Sequence, residues 1–79
     1  MKREVIILSS LDLEIMKFIK EERFVKDIVH SFDMNYSSCN KHLNRLRKLK
    51  CFNEDKFGTF SKIKINKDGL KLLEIFNGI

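Results

Sequence analysis

Seventy-nine residues, 43% of them hydrophobic and seven of them Phe, suffice for one small core and leave no room for a second. The longest apolar run, residues 5–8, is too short for a membrane span of roughly 20 residues and too short for a secretory h-region, so a soluble, cytoplasmic protein is expected. The net charge of +5 is localised: Lys41, Arg45, Arg47, Lys48 and Lys50 lie in the acid-free window 34–53, and the remaining 11 basic residues are matched by the 11 acids. A field concentrated on one element favours a polyanionic partner, nucleic acid before membrane.

In chain order, an apolar segment, residues 1–9, precedes a first helix capped by Ser9 or Ser10. Asp12 and Glu14 in its first turn complement the dipole. Leu11, Ile15, Phe18 and Ile19 form its apolar stripe, which ends near Lys20-Glu21-Glu22-Arg23, and Phe24 falls in a connection. Val25, Ile28, Val29 and Phe32 repeat at i, i+3, i+4 and i+7, the period of a second, short helix. Asp33-Met34-Asn35 breaks that stripe, and Asn35 caps a third helix over 35–50 whose apolar positions are Cys39, Leu43 and Leu46. Residues 51–54 read as a strand, 55–59 as a turn and 60–65 as a second strand, with Ser61, Ile63 and Ile65 on one side and Phe60, Lys62 and Lys64 on the other. A last helix covers 66–77. The fold class is mostly α with a small β-hairpin, in the order helix, helix, helix, hairpin, helix.

No proline, repeat or low-complexity linker divides the chain, so 1–79 is taken as one domain with a three-helix core over 11–50 and a hairpin over 51–65. Two cysteines make no disulfide framework. On an unbroken helix Cys39 and Cys51 would stand about 18 Å apart. Cys39, His42 and Cys51 match no four-ligand zinc spacing, and His30 and His42 read as surface and core-edge residues. With no Gly-rich phosphate loop and no nucleophile beside a base, the expectation is a non-enzyme without cofactor, metal or small-molecule ligand.

The run from Val25 to Phe76, about two thirds of the chain, resembles the winged helix-turn-helix domain of MarR/ArsR-like regulators. Asp27-Ile28-Val29 with Phe32-Asp33-Met34-Asn35 resembles the short helix and its turn. Ser37-Ser38-Cys39-Asn40-Lys41-His42-Leu43, with Leu46 and Leu49, resembles the recognition helix. Ile65-Asn66-Lys67-Asp68-Gly69-Leu70-Lys71-Leu72-Leu73 resembles the start of the closing helix. Two positions depart from the pattern: Lys50 stands where glycine is common, and Lys56 is the sole basic residue at the tip of a short wing.

The resemblance implies a DNA-binding transcriptional regulator, in our reading a repressor on double-stranded DNA with the third helix in the major groove. Stepping about 100° per residue from Cys39 turns Ser37, Lys41, Asn44 and Lys48 outward, with Ser38, Asn40 and Arg45 beside them and Tyr36 and Arg47 at the shoulder. Ser37, Ser38, Asn40, Lys41, Asn44 and Arg45 are the base-edge candidates, because Asn pairs with adenine, Arg or Lys with guanine, and Ser with either. Tyr36, Arg47, Lys48 and the wing lysines Lys56, Lys62 and Lys64 are the phosphate candidates. The closing helix is apolar on most sides, which with the N-terminal segment suggests a homodimer through Val5, Ile7, Leu72, Ile75, Phe76 and Ile79. The alternatives are a winged-helix protein-interaction module, which should show a neutral third helix, and a non-specific nucleic-acid binder. Lys, Ile, Phe and Asn supply 34 of the 79 residues, while Ala and Pro are absent. That bias towards A/T-rich codons suits a small regulator of an archaeon, a bacterium, or one of their viruses or plasmids.

Overall fold

The computed structural model describes residues 8–76. Helix α1 (Ser10–Phe18) starts at a reciprocal cap: the Asp12 N–H donates to Ser9 Oγ (3.2 Å), and the Ser9 N–H donates to Asp12 Oδ2 (2.8 Å). Ile15 and Met16 of its inner face, with Ile19 just beyond, are fully buried. Phe24 does not lie in a loop, as its sequence context suggested. It forms with Arg23 the two-residue strand β1 (Arg23–Phe24), antiparallel to residues 62 and 63. A strand this short has no period of its own, and only its distant partner defines it.

Helix α2 (Val25–Ser31) and helix α3 (Tyr36–Lys48) end in the same way. Asp33 (φ 49°) and Lys50 (φ 55°) adopt the left-handed conformation just past the two helices. The Met34 N–H then donates to the Val29 carbonyl at 3.1 Å, and the Cys51 N–H to the Leu46 carbonyl at 3.1 Å. The intervening N–H groups of Asp33 and Lys50 bond to His30 (3.4 Å) and Arg47 (2.9 Å). Both ends are therefore Schellman turns built without glycine. The Lys50 departure from the family pattern leaves the helix exit intact. Asn35 caps α3, its Oδ1 accepting from the Ser38 N–H at 2.8 Å.

Strands β2 (Phe52–Phe57) and β3 (Phe60–Ile65) pair from Phe52↔Ile65 to Phe57↔Phe60. The first strand is longer, and the turn shorter, than the sequence suggested: Asp55 and Lys56 pair with Lys62 and Ser61, leaving Gly58 and Thr59 as the turn. Gly58 takes φ +60° at the first central position, where a two-residue hairpin turn requires a positive angle. The sheet order is β1-β3-β2. Asn66 then caps α4 (Lys67–Phe76), accepting from the Gly69 N–H at 2.8 Å, while its amide donates to the Lys50 carbonyl at 2.8 Å.

One core joins these elements: Ile15, Met16, Ile19, Ile28, Cys39, Leu43, Leu46, Cys51, Ile63, Ile65 and Leu73. The three apolar positions of the third helix and the inner residues Ile63 and Ile65 are among them, as their periodicity implied. On α4 only Leu73 of the apolar side chains is buried. Leu72 is half-buried, and Leu70, Ile75 and Phe76 are 40%, 71% and 51% exposed. Val5, Ile7 and Ile79 lie outside the described residues.

Candidate nucleic-acid interface

The inner face of α3 is pinned to the core by Cys39, Leu43 and Leu46, which turns Tyr36, Ser37, Asn40, Lys41, Asn44 and Lys48 into exposed positions. Ser38, beside them, is half-buried. No acidic residue stands on this helix, and its last turn carries Arg45, Arg47 and Lys48. Polar amides, hydroxyls and ammonium groups thus form one face that a polyanion can approach without like-charge repulsion.

Arg45 departs from its expected place at a base edge. Its guanidinium turns towards α1, with Nε 3.1 Å from Asp12 Oδ2 and Nη2 3.3 Å from Asp12 Oδ1. His42 Nδ1 joins the group, 2.5 Å from Asp12 Oδ1 and 2.8 Å from Arg45 Nη2; its tautomer decides whether it donates to the carboxylate or accepts from the guanidinium. Asp12 is completely buried. Burial pushes its carboxyl pKa up, but hydrogen bonds from Arg45, Ser9 and His42 and the Arg45 charge outweigh that and hold it below the ordinary 3.8. Sequence reading assigned Asp12 only to the helix dipole. The signal it lacked was the cross-helix partner, 30 residues and more away.

Arg47 is engaged too. Its Nη1 donates to Asn44 Oδ1 (2.7 Å), and Nε and Nη2 reach Glu54 on β2 at 3.3 and 3.0 Å. The guanidinium also lies 5.7 Å from the centre of the Phe52 ring. A bidentate contact from Asn44 to adenine would share the Oδ1 that already accepts from Arg47, and its second lone pair is the one open to a base.

On the hairpin, Lys56 and Lys64 are exposed, whereas Lys62 is half-buried and lies 3.6 Å from Glu22. A cleft of about 300 Å³ separates the hairpin from α3; its walls include Lys26, Tyr36, Asn40, Arg47, Thr59 and Phe60. Lys26 was not among the sequence candidates, since it sits on a different helix from the basic window. The two cysteines are free and buried. Burial pushes both thiols up; the Asp68 charge adds to the effect at Cys51, and the Arg47 charge opposes it at Cys39. Among the described residues no group of three His, Cys, Asp or Glu side chains could hold a metal ion, and no helix is long and apolar enough to cross a membrane.

No protein-family model and no curated protein matches the chain. Solved structures do. The transcriptional regulator BldR from Sulfolobus solfataricus superposes with a TM-score of 0.80 at 18% identity over 91% of this chain. A possible transcriptional regulatory protein from Mycobacterium bovis gives 0.79 at 21% identity over 87% of this chain and 76% of its own. The solution structure of a homodimeric winged helix-turn-helix DNA-binding domain from Mycobacterium bovis, described as a possible ArsR-family regulator, gives 0.75 at 21% over 87% of this chain and 66% of its own. The chain spans 55% of the length of the BldR chain. The fold is a winged helix-turn-helix: α2 and α3 form the helical pair and the β2–β3 hairpin the wing.

Proposed function

We propose that this protein is a transcriptional regulator that binds double-stranded DNA, placing the outward face of α3 in the major groove. The observation that carries the reading is that face itself: exposed Ser37, Asn40, Lys41, Asn44 and Lys48 on a helix without one acid, beside a hairpin bearing Lys56 and Lys64. A helix of about 10–12 Å diameter fits a groove about 12 Å wide. Asn40, Lys41 and Asn44 lie in its first two thirds, where base edges are met. Lys48 and Arg47 lie near its end, where the phosphate backbone passes. Repression by occupancy is the simplest mode of action for such a face.

The same reading includes a homodimer through α4. Leu70, Ile75 and Phe76 leave an apolar surface uncovered in the single chain, and a two-fold contact would cover it on both copies at once. The Mycobacterium bovis neighbour described as homodimeric supports this by analogy. Sedimentation equilibrium at micromolar concentration should give twice 9.4 kDa. A monomer there removes the dimer. With the dimer, the bound site should be a pseudo-palindrome with half-sites about 10 base pairs apart or a multiple of that.

The test of DNA reading is selection of duplexes from a random pool, then paired titration of a selected and a scrambled duplex at fixed salt. Asn44→Ala and Lys41→Ala should cost ~1–3 kcal/mol on the selected duplex and less on the scrambled one. Lys48→Ala should weaken both alike, because phosphates do not vary with sequence. Equal losses on both duplexes for all three variants would reduce α3 to an electrostatic contact. No enrichment in the selection would remove the DNA reading.

A further inference from the structure

The wing tip carries an arrangement that a phosphate-binding hairpin does not need. Phe57 and Phe60 face each other across the last pair before the Gly58–Thr59 turn, and they are 56% and 50% exposed. Lysine ammonium groups lie close to both rings: Lys26 Nζ is 5.0 Å from the Phe60 centroid, and Lys62 Nζ 5.5 Å from that of Phe57. Phe24 stands edge-on to Phe60 at 6.2 Å, backing the ring from β1. Hairpin ends are ordinarily kept polar, since exposed apolar edges invite aggregation.

We propose that Phe57 and Phe60 are an apolar wedge that the wing inserts into the DNA minor groove beside the α3 contact, parting a base step and bending the duplex. This rests on the DNA reading given above. The occupant must offer an apolar slot flanked by negative charge, because the rings come with ammonium groups alongside. Lys26 and Lys62 lie at the rings, Lys64 follows on the same face of β3, and Lys56 stands at the tip on the opposite face. The carboxylates nearby are Asp55, across from Lys62 on β2, Glu22, which Lys62 approaches at 3.6 Å, and Glu54, which lines the cleft with Phe60 and is held by Arg47. A minor groove has that chemistry, with stacked bases at its floor and phosphates along both walls, and inserted Phe side chains are a known way to unstack a step. The wedge is also continuous with the α3 face, since Phe60 lines the same cleft as Tyr36 and Asn40.

The consequence is sequence preference at base pairs that α3 never touches. Pyrimidine–purine steps, TA and CA/TG, unstack most readily and should be enriched where the wing lands. The experiment places 2-aminopurine at that step in a selected duplex and follows its fluorescence on titration, with bending measured by energy transfer between end labels. Wild-type protein should raise the fluorescence several-fold and shorten the end-to-end distance. Phe57→Ala/Phe60→Ala should abolish both while still binding, and Phe57→Leu/Phe60→Leu should retain much of the bend. Circular dichroism checks folding; if the double variant fails it, the more exposed Phe57→Ala alone decides, with a reduced fluorescence rise expected.

A complex without any rise in the wild type overturns the wedge and leaves the DNA reading standing. So does a rise that the alanine variants keep, or a loss of self-association in place of a loss of bending, which would assign the rings to a protein contact. Failure to form a complex with any duplex overturns both.

Discussion

Arg45 of α3 and Asp12 of α1 are joined by two hydrogen bonds, Nε to Oδ2 at 3.1 Å and Nη2 to Oδ1 at 3.3 Å, across a sequence separation of 33 residues. The same carboxylate closes the cap of α1 through the Ser9 N–H. One buried group therefore starts the first helix and orients the helix whose outer face we assign to DNA. Removing Asp12 would leave the Arg45 guanidinium without its carboxylate and α1 without its reciprocal cap.

Asp12→Ala should accordingly lower the unfolding free energy by about 1–2 kcal/mol, the scale of losing a helix cap and its hydrogen bonds, since the Arg45 guanidinium left behind is 38% exposed and reaches water. Arg45→Ala should destabilise in the same direction, and the sequence selected by α3 should stay the same. Urea unfolding and a repeat of the duplex selection measure the two. A changed selected sequence with unchanged stability would return Arg45 to the base edges.

The sign of the pH dependence follows from the depressed Asp12 carboxyl. As pH falls below the ordinary 3.8, the unfolded chain takes up its proton before the folded one does. The stabilisation is complete above that range and is lost as pH drops through the lower folded value. Thermal melts from pH 5 down to pH 2 should therefore fall more steeply for the wild type than for Asp12→Asn, and parallel curves would contradict the assignment.

Lys50 holds a left-handed φ of 55° with a Cβ, a conformation that costs an L-residue roughly 1–2 kcal/mol. Lys50→Gly should relieve most of that, less the entropy glycine gives up, for a net gain of about 0.5–1 kcal/mol. The urea midpoint should rise with unchanged slope. Asp33→Gly, at the equivalent place after α2, should gain less, since Asp tolerates this region better.

Gly69 has the opposite character. A Cβ there would stand 2.2 Å from the Cys51 carbonyl oxygen and 2.6 Å from Ile65 Cγ1, against backbone that Asn66 also grips. Gly69→Ala should destabilise by at least about 2 kcal/mol. Gly58→Ala meets no atom within 4 Å and suffers only its positive φ of +60°, so it should cost about 1 kcal/mol. Thermal denaturation of the two variants should rank them in that order.

Glu54 keeps Arg47 on the protein. Glu54→Gln should release the guanidinium to phosphate, raising affinity for scrambled DNA and steepening the log K against log[salt] plot by up to about 0.9. Stability should change by about 1 kcal/mol or less, because the pair is partly exposed. An unchanged slope would show that Arg47 makes no phosphate contact.

Periodicity made the helices legible. Cys39, Leu43 and Leu46 repeat at three and four, and all three are buried; Asn35 precedes that stripe and caps it. Those regularities arise within one element, from 3.6 residues per turn and from unsatisfied N–H groups at its start, so a single sequence carries them. The polar, acid-free outer face of α3 follows from the same arithmetic.

Beyond the hairpin, partnership between elements distant in the chain was not legible. Strand β1 exists because Arg23 and Phe24 meet Ile63 and Lys62. Rotation of about 100° per residue put Arg45 on the flank of α3, but α1 packed on that flank drew it inward, while Arg47 found Glu54 on the hairpin. The Phe57/Phe60 pair likewise depends on register, since β2 runs three residues past its expected end and so brings the two rings opposite each other. The sequence by itself determined which residues share a face. Only the tertiary structure decided what each face meets, because that choice is made by side chains distant in the chain competing for the same space and the same hydrogen bonds.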